Sequence, residues 1–312
     1  MSEQMADRQT LIKTCELCPR QCHTDRVISN GYCGESERVR VARASFHRWE
    51  EPCISGVLGS GTVFFSGCSL KCVFCQNQKI SVGGKGKILS VIQLSELFLR
   101  LQNNGAENIN LVTPTHFTPQ IARALQIAKS KGLVIPVVYN TSGYERVETL
   151  RLLEGLVDIY LPDLKYYNSQ LSERYSNAPD YFKYASLAIE EMVRQIGNPV
   201  FDDNKLSKKQ IMKRGVIVRH MVLPGHTKDS KMIIEFLYNT YKDHIYLSIL
   251  NQYTPMQNLE SYPELNRRVT KREYDKVIDY AIRLGVENAW IQEGSTATES
   301  FIPNFDEVGD YL

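Results

Sequence analysis

From about Gly61 onward, short apolar runs rich in β-branched and aromatic residues alternate with longer segments whose apolar positions recur at helical spacing. The runs predict strands over residues 62–66, 108–113, 135–141, 158–165, 216–223 and 245–251. Between them, Thr118 and Pro119 supply an N-cap and a first-turn proline, Ile121, Leu125 and Ala128 share one face, and Gly132 stops the helix. Thr270 with Glu273 is a capping box, Val277, Ile278, Ala281 and Ile282 make the apolar face behind it, and Gly285 ends that helix. A further helix spans 90–104. Strands and helices in turn are the signature of βα units on a parallel sheet. Two stretches break the alternation: residues 1–52, and residues 179–215, where a helical pattern leads into NPVFDDNKLSKKQIMKRG. There is no internal repeat and no glycine-, serine- and proline-rich linker. The division is therefore a leader, 1–52, and one barrel-like α/β domain, 53–312, with 179–215 an insertion or substrate-facing loop. The cluster Lys208, Lys209, Lys213 and Arg214 within it reads first as a solvated loop face and second as a patch for an acidic partner.

Composition narrows the class. Of 312 residues, 43% are hydrophobic and 23% charged, enough apolar material for a sizeable core and too much for a disordered chain. Lysine and arginine number 37 against 35 acids, so no whole-chain field draws the protein to nucleic acid or an anionic membrane. The uncharged stretch 54–70 holds four glycines and four serines and is no membrane span. The N-terminus has no apolar core with a cleavage site, so a cytoplasmic location is expected, where cysteines stay reduced.

All eight cysteines fall between Cys15 and Cys75. Cys15, Cys18, Cys22 and Cys33 form one group, Cys68, Cys72 and Cys75 another, and Cys53 stands alone as a small buried hydrophobe. The second group follows a predicted strand in TVFFSGCSLKCVFCQN, in a loop opened by Gly67. Three thiolates so close together suit one face of an iron–sulfur cube with one iron left open. Zinc is the alternative, and it needs a fourth ligand from elsewhere. The four leader cysteines, among Pro19, Gly31 and Gly34, suit either a structural zinc or an auxiliary iron–sulfur cluster.

Cys68-x3-Cys72-x2-Cys75, with Phe74 before the last cysteine, resembles the motif of the radical S-adenosylmethionine (SAM) superfamily. The resemblance implies a partial (β/α)6 barrel with its site at the C-terminal strand ends. It implies further a 4Fe-4S cluster on Cys68, Cys72 and Cys75, SAM chelated at the open iron, and Phe74 near the adenine. Asp163 and Lys165 are two apart and can both enter the barrel mouth. They resemble the DxK pair of glycyl-radical-enzyme activating enzymes. Arg219, in R-x4-P-G, resembles the arginine that contacts the SAM carboxylate, a task that a guanidinium fork suits. Asn140 and Ser142 resemble the stretch that reaches the ribose. The leader and the second cysteine group together look most like the pyruvate formate-lyase activating-enzyme homologues, over nearly the whole chain.

Two departures stand out: the cysteine-rich leader itself, and LVTPTHF, with Thr113, Thr115 and His116, where the activating enzymes carry Gly-Gly-Glu to hold the SAM amino group. His116 reads first as locally hydrogen-bonded and second as a proton or hydrogen-atom relay. The resemblance implies an oxidoreductase that cleaves SAM reductively to a 5′-deoxyadenosyl radical and takes hydrogen from a protein glycine. Its partners would be a glycyl radical enzyme or other protein substrate, and an electron donor such as flavodoxin or ferredoxin. The alternatives are a radical SAM enzyme acting on a small molecule or peptide, and a non-catalytic iron–sulfur electron-transfer protein.

Overall fold

The computed structural model describes residues 13–202, 210–256 and 259–292, with 303, 305, 309, 311 and 312. Ten strands form its sheet: β1 (Arg40–His47), β2 (Ser60–Phe65), β3 (Lys87–Ile88), β4 (Ile109–Val112), β5 (Val137–Thr141), β6 (Ile159–Pro162), β7 (Val200–Asp202), β8 (Ile211–Met221), β9 (Tyr246–Leu250) and β10 (Ala289–Ile291). Their spatial order is β10-β9-β8-β6-β5-β4-β2-β1-β3, with β7 on β8. Every pair from β2 to β10 along that order is parallel. β1 runs antiparallel to both β2 and β3. The fold is a mixed α/β sheet that does not close. All six expected strands are present, with boundaries shifted by a few residues, and β10 adds a seventh parallel strand that the pattern missed because three residues carry no period.

Alternation along the strands sorts the two faces. Val137, Tyr139 and Tyr160, with Val216 and Val218, meet the helices Val91–Asn103, Thr118–Ser130 and Tyr181–Ile196 in the main core. The opposite positions, Val138, Ile159, Leu161 and Ile217, point inward onto Cys53 and Ile54 of the short helix Pro52–Ser55. Cys53 is accordingly a buried apolar residue, 5% exposed. Further along the same inward rows stand Asn140, Asp163 and Arg219, polar side chains above an apolar plug.

The capping box expected at Thr270 forms with Glu273, Gly285 takes a left-handed φ of 85°, and the structure adds a second capping box, Ser90 with Gln93. Thr118, by contrast, does not cap its helix. Phe117 stands at that position, and Thr118 is the first helical residue because the 3-10 turn Thr115–Phe117 runs straight into the helix. Residues 179–215 fit the alternation better than their sequence suggests: Tyr181–Ile196 is the crossover helix between β6 and β8, and β7 pairs with the first residues of β8. That hairpin sits at the N-terminal end of β8, away from Arg219. Lys208 and Lys209 lie outside the described residues.

Besides the pairing of β1 with β2, two arginines of the leader reach across to the barrel. Arg26, fully buried, donates from Nη1 to the carbonyl of His116 and from Nη2 to that of Ser36, both at 2.5 Å. Arg20 donates from Nε to the carbonyl of Ser69 at 2.9 Å and from Nη2 to that of Ser176 at 2.7 Å. Among the described residues no helix is long and apolar enough to cross a membrane.

Candidate active site

The C-terminal ends of the parallel strands open into a cavity of about 230 Å³. Cys68, Cys72, Phe74 and Cys75 line it from the loop after β2, Asn140 and Ser142 from the end of β5, Asp163 and Lys165 from beyond β6, and Arg219 from β8. Nine residues named from scattered motifs thus line one cavity. Parallel βα units explain this, since each strand delivers its last inward side chain to the same end.

The cysteine loop is shaped by backbone that few residues adopt. Gly67 has φ 84°, and a Cβ there would meet the carbonyl oxygen of Cys33 at 2.7 Å. Lys71, between Cys68 and Cys72, is also left-handed at φ 51°. The amide of Leu70 donates to Sγ of Cys68 at 3.4 Å, and the Ser176 hydroxyl donates to Sγ of Cys72 at 3.1 Å. Burial pushes the Cys75 thiol up to about 12, and the neighbouring Cys68 and Cys72 charges push the same way. Thiols so placed want a cation between them. Three thiols within one short loop suit a cluster that spreads its thiolates over several irons.

The charges that line the cavity are tightly tied. Asp163 accepts from Nζ of Lys165 at 2.7 Å and from Nε of Arg219 at 2.9 Å. Burial raises its pKa, and the two cations outweigh burial to leave the carboxyl below its ordinary value. Arg219 also donates from Nη2 to Oδ1 of Asn140 at 2.6 Å. Phe74 is wedged edge-on among Tyr166, Tyr175 and Tyr253, with ring centroids 6.0–6.4 Å away, so its ring position is fixed.

Thr113 also lines the cavity, and its φ of 57° is the conformation a glycine would take without strain. It stands where the resemblance expects Gly-Gly-Glu. His116 does not line the cavity. Its Nε2 lies 2.6 Å from the carbonyl oxygen of Ser66, and burial, with Arg26 nearby, lowers its pKa to about 3. It is a neutral core histidine. Sequence reasoning missed Glu50, which lines the cavity from the segment before β2 together with His47 and Trp49. The only signal was a pair of acids, Glu50 and Glu51, in a stretch assigned to the leader.

The leader cysteines are neighbours of one another and of this site. Burial pushes the Cys18 thiol up to about 12, and the charges of Cys15 and Cys33 push it further against a hydrogen bond from the Arg20 backbone. A Cβ on Gly31 would lie 3.4 Å from Sγ of Cys22 and 3.6 Å from Sγ of Cys33. The amide of Cys68 donates to the carbonyl of Cys33 at 3.1 Å, joining the two cysteine groups through backbone.

Comparison with known proteins agrees with this geometry. Residues 62–237 match the family model of the Radical SAM superfamily. A curated relative, an uncharacterized protein of Methanocaldococcus jannaschii, is 28% identical over 287 residues, 89% of this chain and 77% of its own length. Among solved structures, HydG, a maturase of the [FeFe]-hydrogenase, superposes with a TM-score of 0.52 at 14% identity over 75% of this chain and 52% of its own. Streptococcus suis SuiB bound to SAM gives 0.49 at 15% identity over 73% and 48%. A domain of a pyruvate-formate lyase-activating enzyme from Bacteroides vulgatus gives 0.38 at 16% over 56% and 91%. The likeness to HydG is one of fold, and this chain spans about half the length of HydG and SuiB.

Proposed function

The chain belongs to the radical SAM superfamily, and on that premise we propose that Cys68, Cys72 and Cys75 hold a 4Fe-4S cluster at the wall of a SAM-binding cavity. When bound, the cluster supplies the electron that cleaves SAM to methionine and a 5′-deoxyadenosyl radical, which takes a hydrogen atom from substrate. The observation that carries this reading is the meeting of three thiols, two cations, Asn140 and Ser142 in one cavity. Arg219 and Lys165 offer N–H donors to the SAM carboxylate, Asn140 and Ser142 reach the ribose, and Phe74 walls the adenine. Asp163 orients both cations through its two oxygens.

The substrate in this proposal is a glycine Cα–H of a partner protein, because the Asp163–Lys165 pair and Arg219 before Pro224-Gly225 follow the activating-enzyme pattern. A flavodoxin or ferredoxin would donate the electron. Cys15, Cys18, Cys22 and Cys33 hold a second metal, zinc or an auxiliary cluster; their mutual proximity supports this. The enzyme is taken as cytoplasmic.

The test is anaerobic reconstitution, reduction, and EPR with and without SAM, followed by assay of 5′-deoxyadenosine. A 4Fe-4S signal that SAM alters, with deoxyadenosine formed in parent protein and none in Cys72→Ala, is the expected result. A SAM-insensitive signal with no cleavage would instead leave an electron-transfer protein. For the substrate, deuterium from a glycine-labelled partner should appear in the deoxyadenosine.

A further inference from the structure

Glu50 lies between β1 and the helix Pro52–Ser55. Its side chain is 9% exposed and lines the same cavity as the thiols, Thr113 and Arg219. Oε1 accepts from Nδ2 of Asn110 at 2.8 Å. Oε2 stands 3.6 Å from Nη1 of Arg219, an ion pair too long for a hydrogen bond. Asp163, the other carboxylate on the wall, is already taken by Lys165 and Arg219. Of these two carboxylates, Glu50 therefore keeps an acceptor oxygen with room for a donor from the cavity. Burial pushes its carboxyl above the usual carboxylate range against the pull of Arg219 and Asn110, so an entering N–H group would stabilise the ionised form.

SAM carries its carboxylate and amino group on one carbon. Lys165 and Arg219 answer the carboxylate. The amino group requires an acceptor, and the stretch that would supply one in activating enzymes is replaced here by Thr113 and its neighbours, which bring no carboxylate to the wall. We propose that Glu50 accepts an N–H of the SAM amino group through Oε2, so that a residue from before the first barrel strand completes the SAM site. The proposal rests on the SAM reading above.

The experiment compares equilibrium binding of SAM with that of its deaminated analogue, in which hydrogen replaces the amino group, to reconstituted parent protein, Glu50→Gln and Glu51→Gln. Gln at 50 keeps the size of the side chain and an acceptor for Asn110 but loses the charge. The parent should prefer SAM, and Glu50→Gln should reduce that preference by about tenfold or more, the usual effect of losing a charge-assisted hydrogen bond. Affinity for the deaminated analogue should stay near the parental value, which also reports that the variant is folded. In turnover, Glu50→Gln should raise KM for SAM with little change in kcat. Glu51, buried and absent from the cavity wall, is the charge-matched control and should leave the preference intact. An unchanged preference in Glu50→Gln, or an equal fall in Glu51→Gln, overturns the assignment. A parent that binds neither compound fails the SAM reading itself and this proposal with it, a result unlike either of those.

Discussion

Arg219 answers three carboxylate or amide groups at once: Asp163 at 2.9 Å, Asn140 at 2.6 Å and Glu50 at 3.6 Å. A guanidinium so held is oriented before any ligand arrives, which lowers the entropic cost of binding an anion. Arg219→Ala should weaken SAM binding by about ten- to a hundredfold, the range for loss of a charge-assisted contact, while the iron content of the barrel site stays at the parental level. Unchanged affinity by calorimetry would remove Arg219 from the SAM site. His116 makes a different prediction. Its folded pKa, about 3, lies below the ordinary 6.5, so the unfolded chain takes up a proton that the folded one refuses. Stability is therefore full above pH 6.5 and is lost as pH falls from there toward 3, by about 2 kcal/mol at pH 5. His116→Gln should flatten that part of the pH–stability curve in urea titrations. A slope as steep as the parent's would mean that another group titrates there.

At the scale of elements, the strand-end loops pack on one another through bare backbone. Gly143, φ 77°, follows the end of β5, and a Cβ on it would lie 2.3 Å from the carbonyl oxygen of Asp163. No side chain fits there without moving one loop off the other. Gly143→Ala should cost more than about 2 kcal/mol, from the left-handed backbone and the clash together, and should also weaken SAM binding because Asp163 moves. Thermal unfolding and SAM titration of the same preparation check both. Thr113 is the converse case: a β-branched residue kept at φ 57° on the cavity wall. The strain is consistent with a loop whose position matters more than its ease. The pattern reading placed the strands well because the parallel strands are buried on both faces and so stand out as short continuous apolar runs. It misplaced the cap at Thr118, since no sequence rule marks a 3-10 turn feeding directly into a helix.

Over the whole molecule, the leader and the barrel are one assembly. Arg20 reaches Ser69 inside the cysteine loop, Arg26 reaches His116, and the Cys33 carbonyl receives the Cys68 amide. A metal on the four leader thiols would thus brace the loop that carries Cys68. The double variant Cys15→Ala/Cys18→Ala should lose that metal by elemental analysis, and should also lower the iron bound at the barrel site and the unfolding temperature. Full barrel loading with unchanged stability would make the leader a separate module.

The sequence alone determined the chemistry and the class of fold. Cysteine spacing is local, and strand and helix periods are local, so the three-thiol motif, the βα order and even the inward pair Asp163 and Lys165 could be read from the chain. Tertiary structure decided what lay between those pieces. It turned His116 into the core, drew residues 181–196 into the regular alternation, and carried Glu50 from the leader to the cavity wall. Those outcomes depend on contacts between residues far apart in sequence, such as Glu50 with Asn110 and Arg26 with His116. No periodicity records such a contact, because it exists only once separate elements have packed.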